Sequence, residues 1–172
     1  MLLHGIQIKA EQGAGRQPER VAVALDELGR VEQPCAALLC AEDPDGRVRL
    51  LTVDGDMPSI MAGLCCGEPN ILGWDILRNH TTAFVSCPDW VTARGMRTLG
   101  APEKGDPRVI SGESGAVTTG LVETLMLDPE YAELKELIGL DKTSSVLCFS
   151  TEGDTDRENY RSIVWDGLFP SF

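Results

Sequence analysis

The sequence predicts an α/β fold, a single unit over residues 1–172 with a layered, mainly parallel sheet flanked by helices. Apolar runs typical of strands alternate with segments whose apolar residues recur at helical spacing. Neither an internal repeat nor a low-complexity linker divides the chain into two domains. A length of 172 residues is also sufficient for one domain with a hydrophobic core.

The first part of the chain predicts a strand, a helix and two further strands. Residues 4–9 alternate as a strand does, whereas residues 21–28 place apolar side chains at helical spacing. The continuous apolar run of residues 35–44 is typical of a buried parallel strand, and residues 47–56 predict the next strand. The glycine-containing turn QGAG, residues 12–15, follows the first strand, so we expect a βαβ unit.

The middle of the chain predicts short helices around one strand. Residues 57–80 contain two helices, separated at 67–69 because proline favours the first position of a helix and restricts the residue before it. Residues 82–87 predict a strand, and Ser86 is placed to cap the helix of residues 88–99.

Two more helices are predicted after a glycine- and proline-rich loop at residues 100–107. The turn SGESGAV, residues 111–117, opens a helix that runs through Met126. Asp128 and Pro129 cap and start the next helix, and the glycine at 139 ends it. The apolar face of this second helix consists of Tyr131, Leu134 and Ile138.

The last apolar run, residues 146–149, predicts a final strand followed by a polar turn. The pattern from Thr155 to Glu158 predicts a capping box that opens the last helix. This turn therefore presents polar side chains at the carboxyl end of a strand, where open α/β sheets bind ligands. Asp154 and Asp156 are expected to be turn and cap residues.

Charge and composition exclude several classes of partner. A net charge of −12 opposes binding to nucleic acid or to an anionic membrane surface. No window approaches the roughly 18 apolar residues of a membrane span, and the N-terminus lacks a secretory signal pattern, so we expect a cytoplasmic protein. Six cysteines without CxxC spacing predict packed thiols and no metal site, the alternative being a redox role for Cys65 and Cys66.

Three long stretches carry a resemblance to a known family: residues 53–80, 84–117 and 147–167. They resemble the pyridoxal-phosphate-dependent diaminopropionate ammonia-lyases, which share fold type II with the tryptophan synthase β subunit and threonine deaminase. The likeness runs almost unbroken from Val53 to Gly167 and is looser upstream. It implies a partial tryptophan synthase β-like fold, with pyridoxal 5'-phosphate (PLP) as the cofactor.

The resemblance implies a phosphate-binding turn at Gly13, Ala14 and Gly15. Small residues let backbone amides approach the phosphate, and a helix start favours the anion. Arg16 departs from the family, which tends to have a small hydroxyl residue there, although an arginine can itself pair with phosphate.

The resemblance also implies that a hydroxyl after the last core strand bonds the pyridine nitrogen of PLP. Ser150 matches that position best and Thr151 comes next. From the residues alone, the better explanation of both hydroxyls is that they are strand-end groups that satisfy local backbone atoms.

Three other residues are implied to lie near the cofactor or the substrate. Glu113 resembles the acidic residue beside the cofactor ring, and its alternative role is a first-turn glutamate favoured by the helix dipole. Glu68 and Asn70 resemble residues that border the substrate pocket, and a helix-joining turn is their alternative.

By resemblance, the activity is α,β-elimination of ammonia from 2,3-diaminopropionate, a small amino acid, giving pyruvate. The lysine that forms the Schiff base in this family lies upstream, in a Ser-Phe-Lys type motif that is absent here. None of the four lysines has that context, and no catalytic residue is assigned: Lys9, Lys104, Lys135 and Lys142. We therefore expect a C-terminal portion of a lyase, completed by a dimer partner or an N-terminal polypeptide, or else a non-catalytic binding or subunit-interaction module.

Overall fold

The computed structural model describes residues 58–65 and 83–171, the single positions 72, 73, 76 and 80, and the backbone of five short strands upstream. The strands are bounded as follows: β1 His4–Ile6, β2 Val21–Leu25, β3 Val31–Glu32, β4 Cys40–Glu42, β5 Val48–Leu50 and β6 Ala83–Ser86. The helices of the C-terminal half are α1 Asp89–Gly100, α2 Glu113–Leu127, α3 Ala132–Ile138 and α4 Arg157–Val164. Short 3-10 turns occupy Ala62–Leu64 and Pro129–Tyr131.

The strands form a four-stranded sheet of order β1-β6-β2-β3 and a separate pair, β4-β5. Strand β6 pairs parallel with β2 and antiparallel with β1, while β3 joins β2 antiparallel. The expected mainly parallel sheet is not confirmed, because only one of the pairings described is parallel. The expected strands at residues 4–9 and 82–87 are present in shorter form.

Two upstream predictions are wrong. Residues 21–25 form a strand and not a helix, because β-branched valines favour extended backbone and pairing with β6 satisfies the backbone groups. Cys40–Glu42 pairs antiparallel with Val48–Leu50 and so is not part of a parallel pair. The five residues 43–47 between them are too few for the crossover of a dozen or more residues that parallel strands need.

The main core lies between β6 and the first three helices. It contains Val85, Val91, Leu121 and Leu125, all fully buried, with Tyr131 closing it from the 3-10 turn. The helical segment expected from Pro129 to Gly139 is present, but its first three residues form the 3-10 turn and α3 itself begins at Ala132. The Asp128 carboxylate accepts from the Glu130 amide, and Gly139 adopts the left-handed conformation with φ 79°. That positive φ favours glycine, so the helix stops there.

Helices α1 and α2 touch backbone to backbone. A Cβ added to Gly95 would lie 2.2 Å from the Ala116 carbonyl oxygen. A Cβ added to Gly120 would lie 1.9 Å from the Val91 carbonyl oxygen. Because these distances are far inside van der Waals contact, only glycine permits this helix pair.

Helix α4 completes the unit and differs in detail from the capping-box prediction. A second core joins it to α1 and α2 through Ala93, Met96, Ala116, Tyr160 and Ile163. Its N-cap is Asp156 and not the expected Thr155. The Asp156 carboxylate accepts from the Asn159 backbone amide at 3.0 Å. The helix therefore starts one residue later than the sequence pattern predicted. Likewise α1 is preceded by Pro88 as N-cap, so Ser86 ends the strand without capping the helix.

The last predicted strand is not part of a sheet among the described residues. Residues 145–149 are exposed and half-buried in strict alternation, which is the period of an extended chain. Leu147 and Phe149 are 73% and 71% exposed, whereas Val146 packs against the main core.

Candidate functional site

A pair of hydroxyl groups lies where the polar turn meets the start of α2. The Ser150 Oγ donates to the Ser111 Oγ at 2.8 Å and also lies 3.3 Å from the Glu152 carbonyl oxygen. Ser111 is buried and Ser150 is exposed, so the pair connects the interior to the surface. A Cβ added to Gly115 would lie 2.7 Å from the Ser111 Oγ and 3.2 Å from the Ser150 Oγ. A glycine is therefore required beside the hydroxyl pair.

Glu152, which lies outside α2, accepts hydrogen bonds from backbone amides at the amino end of that helix. Its carbonyl accepts from the Gly112 amide at 3.0 Å, and its carboxylate accepts from the Ser114 amide at 2.5 Å. The N-cap Gly112 has no side chain to do this, and a Cβ there would lie 2.4 Å from the Gly153 carbonyl oxygen. A carboxylate at this position is favoured because the first amides of a helix are unpaired and the helix dipole is positive there.

Glu113 is the first residue of α2 and is buried, with 8% of its surface exposed. Its carboxylate accepts from the Asn159 side-chain amide at 2.5 Å, and its carbonyl accepts from the buried Thr92 hydroxyl. The glutamate side chain is thus bonded to the first turn of α4. No hydrogen bond joins it to the Ser111 and Ser150 hydroxyls.

The structure brings part of the predicted site together. Ser150, Thr151 and Glu113 all belong to the junction between the polar turn, the start of α2 and the start of α4. Thr151 is exposed, and its backbone amide faces Gly115. A Cβ added to Gly115 would lie 3.0 Å from the Thr151 amide nitrogen. The expected phosphate turn at Gly13, Ala14 and Gly15 and the expected pocket residues Glu68 and Asn70 lie outside the described residues.

Four residues of this junction were not singled out by sequence reasoning: Ser111, Gly115, Glu152 and Asn159. The first two stand in the same SGESG motif as Glu113, so their signal was the motif itself. Nothing in the local pattern indicates that Glu152 would cap a helix 38 positions away.

The described lysines stand apart from the hydroxyl pair. Lys104 lies in the loop after α1, Lys135 in α3 and Lys142 in the turn that follows α3, and none of them bonds Ser111, Ser150 or Glu113. Within the described ranges, no group of three or more potential ligands is placed to hold a metal ion. None of the helices described there has the length and apolar character required to cross a membrane.

Two ionisable groups outside the junction have shifted pKa values. Burial raises the pKa of the Cys87 thiol from its ordinary value of 9.0 to about 12, so the thiol is neutral at physiological pH. Hydrogen bonds from Thr143, together with bonds from Ser144, lower the pKa of the exposed Asp141 carboxyl. Cys87 is a buried free thiol and Cys148 a half-buried one, as expected for packed cysteines. The Cys65 thiol donates to the Met61 carbonyl at 3.5 Å, and Cys66, the other cysteine of the redox alternative, lies outside the described residues.

Curated relatives of this chain include diaminopropionate ammonia-lyases of two bacterial species. No protein-family model matches the chain. Diaminopropionate ammonia-lyase of Escherichia coli K12 is 55% identical over 118 residues, which are 69% of this chain and 30% of the relative. The same enzyme of Salmonella typhimurium LT2 is 48% identical over 124 residues, 72% of this chain and 30% of the relative.

A solved structure agrees. The Escherichia coli lyase in complex with an aminoacrylate-PLP azomethine reaction intermediate superposes with a TM-score of 0.61 and 52% identity, over 66% of this chain and 30% of that one. This chain therefore spans about 30% of the length of the relatives that it matches. Over about two thirds of its own length, the chain is homologous to part of diaminopropionate ammonia-lyase, a PLP-dependent enzyme of fold type II.

Proposed function

We propose that this chain supplies the C-terminal, cofactor-side part of a diaminopropionate ammonia-lyase site, with Ser150 as the hydroxyl that meets the pyridine nitrogen of PLP. The reaction of the complete site is elimination and hydrolysis, in which 2,3-diaminopropionate and water give pyruvate and two molecules of ammonia. The identity to lyases over about two thirds of the chain supports the reaction class.

The observation that carries the proposal is the hydroxyl pair beside Gly115. The Ser150 hydroxyl is exposed, is held by a buried hydroxyl at 2.8 Å, and ends the segment 145–150. With its proton directed at Ser111, the Ser150 oxygen could accept from a protonated ring nitrogen. It could donate to an unprotonated ring nitrogen if the Ser111 hydroxyl became the donor within the pair. The donor chemistry of the described residues therefore fits the pyridine end of the cofactor.

The described residues do not contain the covalent anchor. When bound, PLP would act as an electron sink for charge that develops at the substrate α-carbon. This chain would orient the cofactor. Ser150 would bond the ring nitrogen, Glu113 would lie near the ring, and the turn at Gly13, Ala14 and Gly15 would hold the phosphate. The lysine and the base would come from the part of the lyase that the match to this chain does not cover.

Reconstitution tests this function. The purified chain, the remaining part of the Escherichia coli lyase, and a mixture of the two are each given PLP and 2,3-diaminopropionate. We expect pyruvate release and a visible absorbance band of bound cofactor only in the mixture, and we expect the Ser150→Ala variant to lower pyruvate release. Ser145→Ala is the matched control, because Ser145 is exposed and forms no hydrogen bond within the described residues. A mixture that forms a complex in sedimentation but neither binds PLP nor releases pyruvate contradicts the proposal.

A second candidate function is a non-catalytic interaction module. The exposure of Leu147 and Phe149 favours it, because exposed apolar side chains side by side on one strand-like segment mark an association surface. PLP-independent association with a second polypeptide, without pyruvate release in any combination, would select this candidate over the lyase.

A further inference from the structure

We propose that Asn159 is a positioning residue of the lyase site, whose side-chain amide holds the Glu113 carboxylate in place without neutralising its negative charge. This inference rests on the proposed function above, in which Glu113 lies near the cofactor ring. It assigns to α4 a part in that site.

The backbone and the side chain of Glu113 are held by two different helices. Its carbonyl accepts from the Thr92 hydroxyl of α1, and its carboxylate accepts from the Asn159 side-chain amide of α4 at 2.5 Å. Only 8% of the glutamate is exposed, so water has little access to either bond. The Glu113 side chain is therefore directed toward the first turn of α4.

Asn159 is suited to this task because its own helix is anchored at both ends. Its backbone amide donates to the Asp156 carboxylate at 3.0 Å, which fixes the first turn of α4. Tyr160 and Ile163 are buried in the second core. At the far end of the helix, the Arg97 guanidinium donates to the Ile163 carbonyl at 3.2 Å. The side-chain amide of Asn159 therefore donates from a fixed place.

The partner of Glu113 carries no charge. Buried carboxylates are usually paired with a cation, because an isolated charge loses its hydration. Among the residues that the structure describes, the ion pairs belong to other side chains: Arg94 with Glu123, and Arg157 with Asp154. An asparagine donates a hydrogen bond and has no net charge, whereas a lysine or arginine would cancel the charge of the carboxylate.

A fixed and uncancelled carboxylate is useful beside a cofactor. The positive end of the α2 dipole favours the negative charge at Glu113, the first residue of that helix. Charge near a cofactor ring is one of the means by which a protein tunes its electronics. Asn159 thus keeps the direction of the carboxylate and leaves its charge for the group bound beside it.

A purely structural bond between α2 and α4 makes a different prediction. Such a bond needs one donor and one acceptor, and either helix can carry the carboxylate. The positioning role requires the carboxylate on α2. The exchange variant Glu113→Gln/Asn159→Asp separates the two roles, because the side chains keep their lengths, the chain keeps its net charge, and the amide now donates from α2 to α4.

Urea denaturation of the whole chain, without cofactor, tests the contact itself. Asn159→Asp places two carboxylates against each other, so it is expected to lower the midpoint more than Asn159→Ala does. Adding Glu113→Gln to Asn159→Asp is expected to recover most of that loss, because a donor again faces an acceptor.

The reconstituted mixture of this chain and the rest of the lyase tests the role of the charge. We expect the exchange variant to release pyruvate about tenfold more slowly at saturating substrate and to shift the absorbance maximum of the bound cofactor. Asn159→Ala keeps the charge but frees the side chain, so its loss is expected to be smaller. Glu103→Gln, the same change at an exposed loop position, is the matched control and is expected to show neither effect.

Three results would overturn the proposal, and they are distinguishable. If Glu113→Gln does not relieve the loss in Asn159→Asp, the two side chains are not in contact. If the exchange variant matches the wild-type mixture in pyruvate release and absorbance, the bond is structural only, and the proposed function stands without it. If the wild-type mixture binds no PLP and releases no pyruvate, the proposed function is contradicted and this inference with it.

Discussion

The Ser150 Oγ donates a hydrogen bond to the Ser111 Oγ at 2.8 Å, across 39 positions of the sequence. This bond links the end of the extended segment 145–150 to the residue that precedes the N-cap of α2. Ser111 is 1% exposed, so water cannot readily replace its partner. The pair therefore serves both the stability of the junction and the proposed cofactor contact.

Replacing Ser150 by alanine is expected to lower the free energy of unfolding by about 1 kcal/mol, because a buried hydroxyl loses its donor. Urea denaturation measures the change. Ser145→Ala, at an exposed position without a hydrogen bond within the described residues, is expected to leave the midpoint unchanged. Equal effects of the two variants would refute a specific role for the hydroxyl pair.

Replacing Gly120 by alanine is expected to lower the free energy of unfolding by about 3 kcal/mol through overpacking. An alanine in a helix gains about 1 kcal/mol in propensity over glycine, but the new Cβ would lie 1.9 Å from the Val91 carbonyl oxygen. The helices must separate, so the clash outweighs the gain. Thermal unfolding checks this, with Gly153→Ala as control, because its Cβ would meet nothing within 4 Å.

Arg97 holds the C-terminal segment to α1. Its guanidinium donates to the carbonyls of Ile163, Leu168 and Phe169 at 3.2, 3.1 and 3.0 Å. Lysine cannot reproduce this fork, so Arg97→Lys is expected to cost about 1 kcal/mol. Hydrogen exchange of residues 163–169 should accelerate.

The control for that variant is Arg108→Lys, at an exposed position in the loop before α2. It keeps the same change of side chain without the carbonyl contacts. If exchange of residues 163–169 accelerates equally in both variants, the three bonds do not anchor the segment.

Variants at Asp156 and Thr155 distinguish the N-cap of α4 seen in the structure, Asp156, from the one that the sequence pattern predicted, Thr155. Asp156→Ala is expected to cost about 1 kcal/mol, since its carboxylate accepts from the Asn159 amide at 3.0 Å. Thr155→Ala is expected to be neutral in the same chemical denaturation experiment. A larger loss of stability in Thr155→Ala than in Asp156→Ala would contradict this and support the capping box instead.

Cys87 is expected to resist alkylation at pH 8 until the chain is unfolded, whereas Cys148 should react in the folded chain. Burial raises the pKa of Cys87 to about 12, so the folded chain keeps a proton that the unfolded chain releases above about pH 9. This contribution to stability is therefore complete below pH 9 and is lost as the pH rises towards 12. Peptide mapping of the alkylated cysteines and unfolding at several pH values measure both effects.

Sequence reasoning succeeded where a signal is local. Asp128 and Pro129 start a helical segment and Gly139 ends it because side-chain capping, a fixed φ and a positive φ act within a few residues. Residues 21–25 show the opposite case. Their apolar spacing predicted a helix, but they form a strand because they pair with β6.

The sequence by itself determined the helical segments of the C-terminal half, the acidic charge and the family resemblance that pointed to Ser150 and Glu113. Only the tertiary structure decided that Ser111 holds Ser150, that Glu152 caps α2 and that Asn159 bonds Glu113. The Asp128 cap and the Gly139 stop depend on neighbours in the chain, so their pattern is visible in the sequence. Hydrogen bonds that side chains form with groups 38 to 46 positions away depend on how the helices pack, and no local pattern records that.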